Sequence, residues 1–313
     1  MSSPPHIYVN KLNRDQASRL HALLLEKGWQ MDAIAHAQWR AKKGKTTIVA
    51  YDSGKLVVQG KETAEIVQFM IEPEILGEVR FGYEEVLAER ENPEMFEPHI
   101  GIDESGKGDY FGPLSVAAVY VNAEFARKLL SVGVQDSKRI HSDRRIAALA
   151  DQIKEIVGGH FSLVTIGPES YNRLYDSVGN LNRLLAWGHA KTLENVLEKV
   201  PECPRAISDK FAHESVIRNA LQKNGRRIKL VQIVRAEADV AVAAASVLAR
   251  AEFVGRLQEL SEKVGLKLPK GAGPPVLEAA IRLVETQGAD IMSKVAKLHF
   301  KTTARVLSSG TKF

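Results

Sequence analysis

Gly101-Ile102-Asp103-Glu104-Ser105-Gly106-Lys107-Gly108-Asp109-Tyr110-Phe111-Gly112-Pro113-Leu114 is the stretch on which the reading of this chain turns. An extended lead-in, His99-Ile100, and a β-branched continuation from Val116 to Val121 make it strand, tight glycine turn, strand. Two adjacent carboxylates, Asp103 and Glu104, therefore end a strand beside a loop whose glycines let backbone approach something closely. Acid and Lys107 together in such a loop point to metal-assisted phosphate chemistry.

Gly101 to Lys107 also fits the spacing of a phosphate-cradling P-loop, but Gly108 stands where that motif needs a Ser or Thr hydroxyl. Tyr110-Phe111-Gly112-Pro113 opens no helix, and two carboxylates would face a polyphosphate, so nucleotide binding is set aside. Asp103 and Glu104 alone would be ordinary for a solvated turn. More acid in matching settings changes the balance. Asp209 follows the short apolar run Ala206-Ile207-Ser208, and Glu237 and Asp239 lie between a β-rich segment, Ile228 to Val234, and an Ala-rich helix beginning near Val240. Carboxylates at separate strand ends are how an α/β sheet gathers ligands at one edge.

The run from Asp103 to Leu114, Asp136-Ser137-Lys138, Ser208-Asp209-Lys210-Phe211, and Arg235-Ala236-Glu237 followed by Ala243-Ala244-Ala245-Ser246 closely resemble the type 2 ribonucleases H. The form Gly106-Lys107-Gly108 resembles the ribonuclease HIII branch, and the likeness covers roughly residues 98 to 310. It implies an α/β fold: a ribonuclease H-like mixed sheet flanked by helices, preceded by a small α+β domain like the TATA-box-binding protein. It further implies that Asp103, Glu104, Asp209 and Glu237 are metal-site carboxylates. The spacing from Glu237 to Ser246 is a residue shorter than in related enzymes, which leaves Asp239 as a competitor for the fourth place.

Hard oxygen ligands select Mg²⁺ or Mn²⁺. Two such ions about 3.5–4 Å apart can activate water on one side of a phosphate and stabilise the departing oxygen on the other. The resemblance implies hydrolysis of the RNA strand of an RNA/DNA hybrid, leaving 5′-phosphate and 3′-hydroxyl ends, with Asp103 bridging both ions. Such an enzyme must feel a 2′-hydroxyl on one strand and its absence on the other. The backbone of Gly106, Lys107 and Gly108 is expected to do so, and Ser137 and Lys138 resemble a phosphate-contacting element. Asn180 reads as a helix cap, Tyr171 and Tyr175 as packing residues, Lys267 to Pro274 as a basic loop, and His299 as no part of the mechanism.

With 313 residues, 44% of them hydrophobic, the chain is long enough for about two domains. One cysteine, Cys203, allows no internal disulfide and suits a reducing cytosol. The first residues lack a cleavable leader pattern and no apolar run reaches the roughly 18 residues a membrane span needs, so a cytoplasmic protein is expected. No obligate protein partner is implied. The expected division is a substrate-binding domain over residues 1–82, an acidic linker over 83–98 and a catalytic domain over 99–313.

In the first domain a helix is expected from Arg14 to Lys27, strands at Ala37–Ala41, Thr46–Tyr51 and Leu56–Gln59, and a helix again from Thr63 to Ile71. Tyr51-Asp52-Ser53-Gly54-Lys55 with Gln59-Gly60 looks like the hairpin of the related domain, where hybrid capture is expected. Arg40, Lys42, Lys43 and Lys45 cluster around Gly44 with Trp39 and Tyr51 interleaved, a footprint for following a phosphate backbone while offering faces for stacking. A net charge of +5 and a pI near 9.1 agree with a nucleic-acid partner. Two other readings stay open: a non-catalytic nucleic-acid-binding protein, which would need no carboxylates at strand ends, and ribonuclease HII-like incision at single embedded ribonucleotides.

Overall fold

Alternation of apolar and polar residues builds two five-stranded sheets, one in each of the units Met1–Glu91 and Asn92–Phe313 into which the chain divides. The computed structural model describes residues 7–78, 89–90, 92–134, 140, 142–234 and 236–309. Ser137 and Lys138 lie outside these residues, as do residues 83–88 and 91 of the acidic stretch expected to link the domains.

The first sheet is antiparallel, with strands β1 (Ile7–Lys11), β2 (Gln30–Asp32), β3 (Ala37–Lys43), β4 (Thr46–Tyr51) and β5 (Lys55–Gln59) in the order β1-β5-β4-β3-β2. Its inner face packs Trp39, Ala41, Ile48 and Val58 against Leu20 and Leu24 of α1 (Arg14–Glu26). Asn13 opens α1 by accepting from the Gln16 amide, and Gln16 returns the bond to the Asn13 amide. The second helix departs from the expected run: only α2 (Thr63–Ile66) is α-helical, and Val67–Leu76 winds as a wider π-helix. That stretch contains Pro73, which has no N–H to give to an α-helical ladder.

In the second unit the strands are β6 (His99–Ser105), β7 (Leu114–Val121), β8 (Phe161–Ile166), β9 (Arg205–Asp209) and β10 (Lys229–Ile233), in the order β10-β9-β6-β7-β8. β6, β7 and β8 form an antiparallel meander, while β9 and β10 run parallel to β6. Helices α3 (Ala123–Ser131), α4 (Asp143–Val157), α5 (Pro168–Val178), α6 (Leu181–Leu197), α7 (Glu214–Ala220) and α8 (Val240–Val264) follow in sequence. They are succeeded by α9 (Pro274–Gln287), α10 (Ile291–Val295) and α11 (Lys301–Ser309). Among the described residues no helix is long and apolar enough to cross a membrane.

Two glycines let helices close on the two faces of this sheet. A Cβ on Gly101 would stand 2.1 Å from the Val242 amide nitrogen, so the start of α8 lies directly on β6. On the other face, a Cβ on Gly188 of α6 would stand 2.9 Å from a Val116 methyl. The Ala243-Ala244-Ala245 run serves the same closeness, and all three are buried. The last residues of the acidic stretch belong to this unit: Pro93–Phe96 forms a 3₁₀ turn with Phe96 buried beneath the Arg127 guanidinium, 5.6 Å above its ring. Glu94 and Glu97 pair with Arg205, the first residue of β9, at 2.9 and 3.7 Å.

Candidate active site

Register brings the predicted acids together. β6 pairs with β9 through Ile102 and Ser208, so Asp103 and Asp209 are the next residues along two adjacent parallel strands. Strand alternation sends both toward the α8 side, and sends Glu104 toward α6. Asp103, Glu104 and Asp209 line one cleft of about 540 Å³ with Gly106, Lys107, Gly108, Asp109, Ser246, Arg250 and Lys270. Parallel strands ending at an open cleft are where α/β sheets place their ligands.

Glu104 is held as an anion. Burial pushes its carboxyl up, but the His189 ring, donating from Nε2 at 2.9 Å, and the Lys107 ammonium at 3.5 Å outweigh that and leave it below the ordinary carboxylate range. His189 has no exposure and packs its ring 4.7 Å from that of Phe211. Lys107 lies 5.7 Å over the same Phe211 ring. Sequence reasoning gave His189 no role; a polar residue on the apolar face of a helical run was its only signal. Arg250 was missed as well, although it stands one turn after Ser246 on α8 and so shares its face.

The glycine turn divides into a fixed half and an open half. Gly106 has φ +91° and its Cβ would collide with the Pro113 carbonyl at 2.2 Å, so geometry demands glycine there. A Cβ on Gly108 would meet nothing within 4 Å. Packing therefore does not require glycine at 108. Asp109 anchors the exit of the turn by accepting from the Gly271 amide at 2.6 Å, and Lys270 pairs with Asp143 at 2.8 Å.

Glu237 and Asp239 part company. Asp239 caps α8, accepting from the Ala241 and Val242 amides at 2.9 and 3.1 Å and from the buried His99 ring at 3.0 Å. Glu237 sits half-buried in the 3₁₀ turn Ala236–Ala238 and is not among the residues that line the cleft. Among the described residues no group of three or more His, Cys, Asp or Glu stands close enough to hold a metal ion. Asp103, Glu104 and Asp209 share a cleft rather than a finished coordination shell.

In the first unit the basic residues divide between places. Arg40 and Lys42 face outward on β3 and both pair with Asp32, at 2.8 and 3.2 Å, while Lys43 donates to the Lys27 carbonyl at 2.8 Å. Lys45 lies exposed in the turn after Gly44. Register puts Arg40 in one row with Val49, Val57 and Val9, and Lys42 in the next with Thr47, Gln59 and Ile7. Tyr51, half-buried, follows at the end of β4. Two expectations are corrected. Trp39 is 7% exposed in the inner core, with its ring 5.8 Å from His21, so it offers no stacking face. The basic cluster around Gly44 and the Tyr51–Lys55 turn are not one hairpin, because they join β4 to different neighbours at its opposite ends.

A mixed sheet in this order, with acids where its parallel strands end, is a ribonuclease H-like fold. Residues 100–303 match the family described as Ribonuclease HII, and residues 8–76 match a domain of unknown function (DUF3378). Ribonuclease HIII of Protochlamydia amoebophila is 41% identical over 307 residues, 98% of each chain. Among solved structures, Bst-RNase HIII in complex with Mn²⁺ is 31% identical with a TM-score of 0.66, covering 98% of this chain and 100% of that one. Aquifex aeolicus RNase H3 is 26% identical with a TM-score of 0.54, covering 94% and 100%. The chain belongs to the ribonuclease HIII family and is an enzyme of the ribonuclease H type.

Proposed function

We propose that this chain is an endoribonuclease that hydrolyses the RNA strand of RNA/DNA hybrids, using divalent ions held by Asp103, Glu104, Asp209 and Glu237. The observation that carries the site is the register: Asp103 and Asp209 end adjacent parallel strands, with anionic Glu104 in the same cleft. The donor set fits a hard ion, since it consists of carboxylate oxygens with Glu104 kept charged. Bound there, Mg²⁺ or Mn²⁺, as two ions, would supply a water nucleophile and charge for the leaving oxygen. Belonging to the family whose Bst member was crystallised with Mn²⁺ supports the choice of metal.

This chain's own residues supply the rest. Asp103, Asp209 and Glu104 would hold the ions, and His189 orients Glu104. Glu237 takes the fourth place because the Asp239 carboxylate already serves the α8 amides and His99. Gly106-Lys107-Gly108 meets the ribose: the open side of Gly108 leaves room for a sugar against backbone. Ser137 and Lys138 contact phosphate, and the outer face of the first sheet, with Arg40, Lys42 and Tyr51, holds the hybrid together with Lys43 and Lys45 beside the Gly44 turn. The site of action is cytoplasmic, in keeping with a lone buried Cys203 whose thiol burial pushes up to about 11.

Cleavage of matched all-RNA/DNA hybrid and single-ribonucleotide duplexes, with Mg²⁺ and Mn²⁺ varied separately, tests this reading. Cutting within the RNA tract, yielding 5′-phosphate ends, is expected. Asp103→Asn or Asp209→Asn should retain the fold and hybrid binding while lowering kcat by orders of magnitude. Metal-dependent cleavage by folded Asp103→Asn near the wild-type rate would remove the assignment, and preference for the single-ribonucleotide duplex would move the chain to ribonuclease HII-like incision.

A further inference from the structure

Lys297 lies between α10 and α11 with no exposure at all. Its ammonium donates to backbone: to the carbonyl oxygens of Gly112 at 2.7 Å, Asp109 at 2.8 Å and Phe111 at 3.4 Å. An ammonium has three donors, and these three carbonyls use them all. Such convergence is costly to arrange, because the same oxygens would be buried without a partner if Lys297 were apolar.

The three carbonyls belong to the stretch that leaves the Gly106–Gly108 turn. More bonds hold that stretch: Tyr110 donates to Gly271 in the loop before α9 at 2.8 Å, and the segment around Lys297 joins it through Gly112 donating to Val295 at 2.9 Å and the Lys297 amide to Tyr110 at 2.9 Å. The segment is itself pinned by Asn172 of α5, which donates to Ser293 and Ala296 and accepts from the Leu298 amide at 2.9 Å. On its own side the turn has one internal bond, from the Asp109 amide to the Gly106 carbonyl at 3.3 Å, and Gly108 faces open space.

We propose that Lys297 is the positioning residue of the glycine turn: by gathering the Asp109, Phe111 and Gly112 carbonyls it sets where Gly106-Lys107-Gly108 meets the substrate ribose. This rests on the reading of that turn as a ribose contact. Lys297 differs from the carboxylates in role, since it is fully buried and acts through backbone alone.

Steady-state kinetics on the full chain with an RNA/DNA hybrid and an RNA/RNA duplex separate the two claims. Lys297→Met keeps most of the length of the side chain and removes its donors. It should raise KM for the hybrid about tenfold, change kcat less than about threefold, and narrow the preference for hybrid over RNA duplex, the pattern of lost ground-state binding. Gly108→Ala, which packing tolerates, should raise KM similarly by intruding on the ribose. If Gly108→Ala raises KM and folded Lys297→Met leaves KM and preference unchanged, Lys297 merely fills the interior and the proposal fails while the ribose contact stands. If Gly108→Ala changes nothing, the ribose contact fails and the proposal with it. Should Lys297→Met not fold, Asn172→Ala loosens the same segment from its far end; a severalfold rise in KM supports the proposal, and an unchanged KM in that folded variant overturns it.

Discussion

Single residues in this chain are separated by what already occupies their polar atoms. Asp239 and Glu237 are two positions apart, yet Asp239 serves two helix amides and the His99 ring while Glu237 sits at the half-buried turn. Asp239→Ala should therefore lower stability by about 1–2 kcal/mol through the cap and leave kcat nearly intact in the folded fraction. Glu237→Gln should do the reverse; thermal melts and single-turnover kinetics on both variants check the pair. Lys297 carries a second testable property. Burial pushes its amine from the ordinary 10.5 down to about 7, against the pull of Asp109, and burial, helped by the Lys297 charge, holds His299 low; the Tyr171 ring lies 5.8 Å away. Between pH 7 and 10.5 the unfolded chain holds a proton the native chain has released, so native stability should rise with pH across that window. The slope is at most about 1.4 kcal/mol per pH unit. The neutral amine keeps two donors for its two short bonds. Denaturant titrations at several pH values should show the rise in wild type and a flatter profile in Lys297→Met.

Elements meet here at glycine-thin contacts, and this is where the sequence spoke most and least clearly. Gly101→Ala would push a methyl into the first turn of α8, so destabilisation of about 1–3 kcal/mol with partial loss of activity is expected from urea melts and kinetics. The strands carrying Asp103 and Asp209 were legible because β-branched runs flank turn residues, and the Ala-rich helix after Val240 because it is long and uninterrupted. β1 and β2 were not read: β1 leaves Ile7 and Val9 exposed, and β2 is three polar-flanked residues stabilised by its partner strand. Pattern also misled at Trp39, because the side it faces is fixed by α1 lying on that side of the sheet. His189 and Lys297 escaped notice for a related reason. Their significance lies in partners 85 and 185 to 188 residues away, which no local spacing reveals.

At the scale of the whole chain, the proposed function gives substrate holding and chemistry to separate units. A fragment lacking the first unit should bind hybrid weakly and show a flatter salt dependence, each lost phosphate contact removing up to about 0.9 from the log-log slope, while its kcat stays near that of the full chain. Where that fragment begins matters. The acidic stretch looks in sequence like a spacer to be trimmed at His99, but Phe96 is buried in the second unit and Glu94 and Glu97 hold Arg205 at the head of the strand that ends in Asp209. Two fragments, residues 92–313 and 99–313, should consequently behave as different proteins: the shorter should melt several degrees lower, since a lost buried aromatic costs about 3 kcal/mol or more. A segment composed like a tether is thus the doorstop of its neighbour, and an expression boundary chosen by composition alone would pull it away.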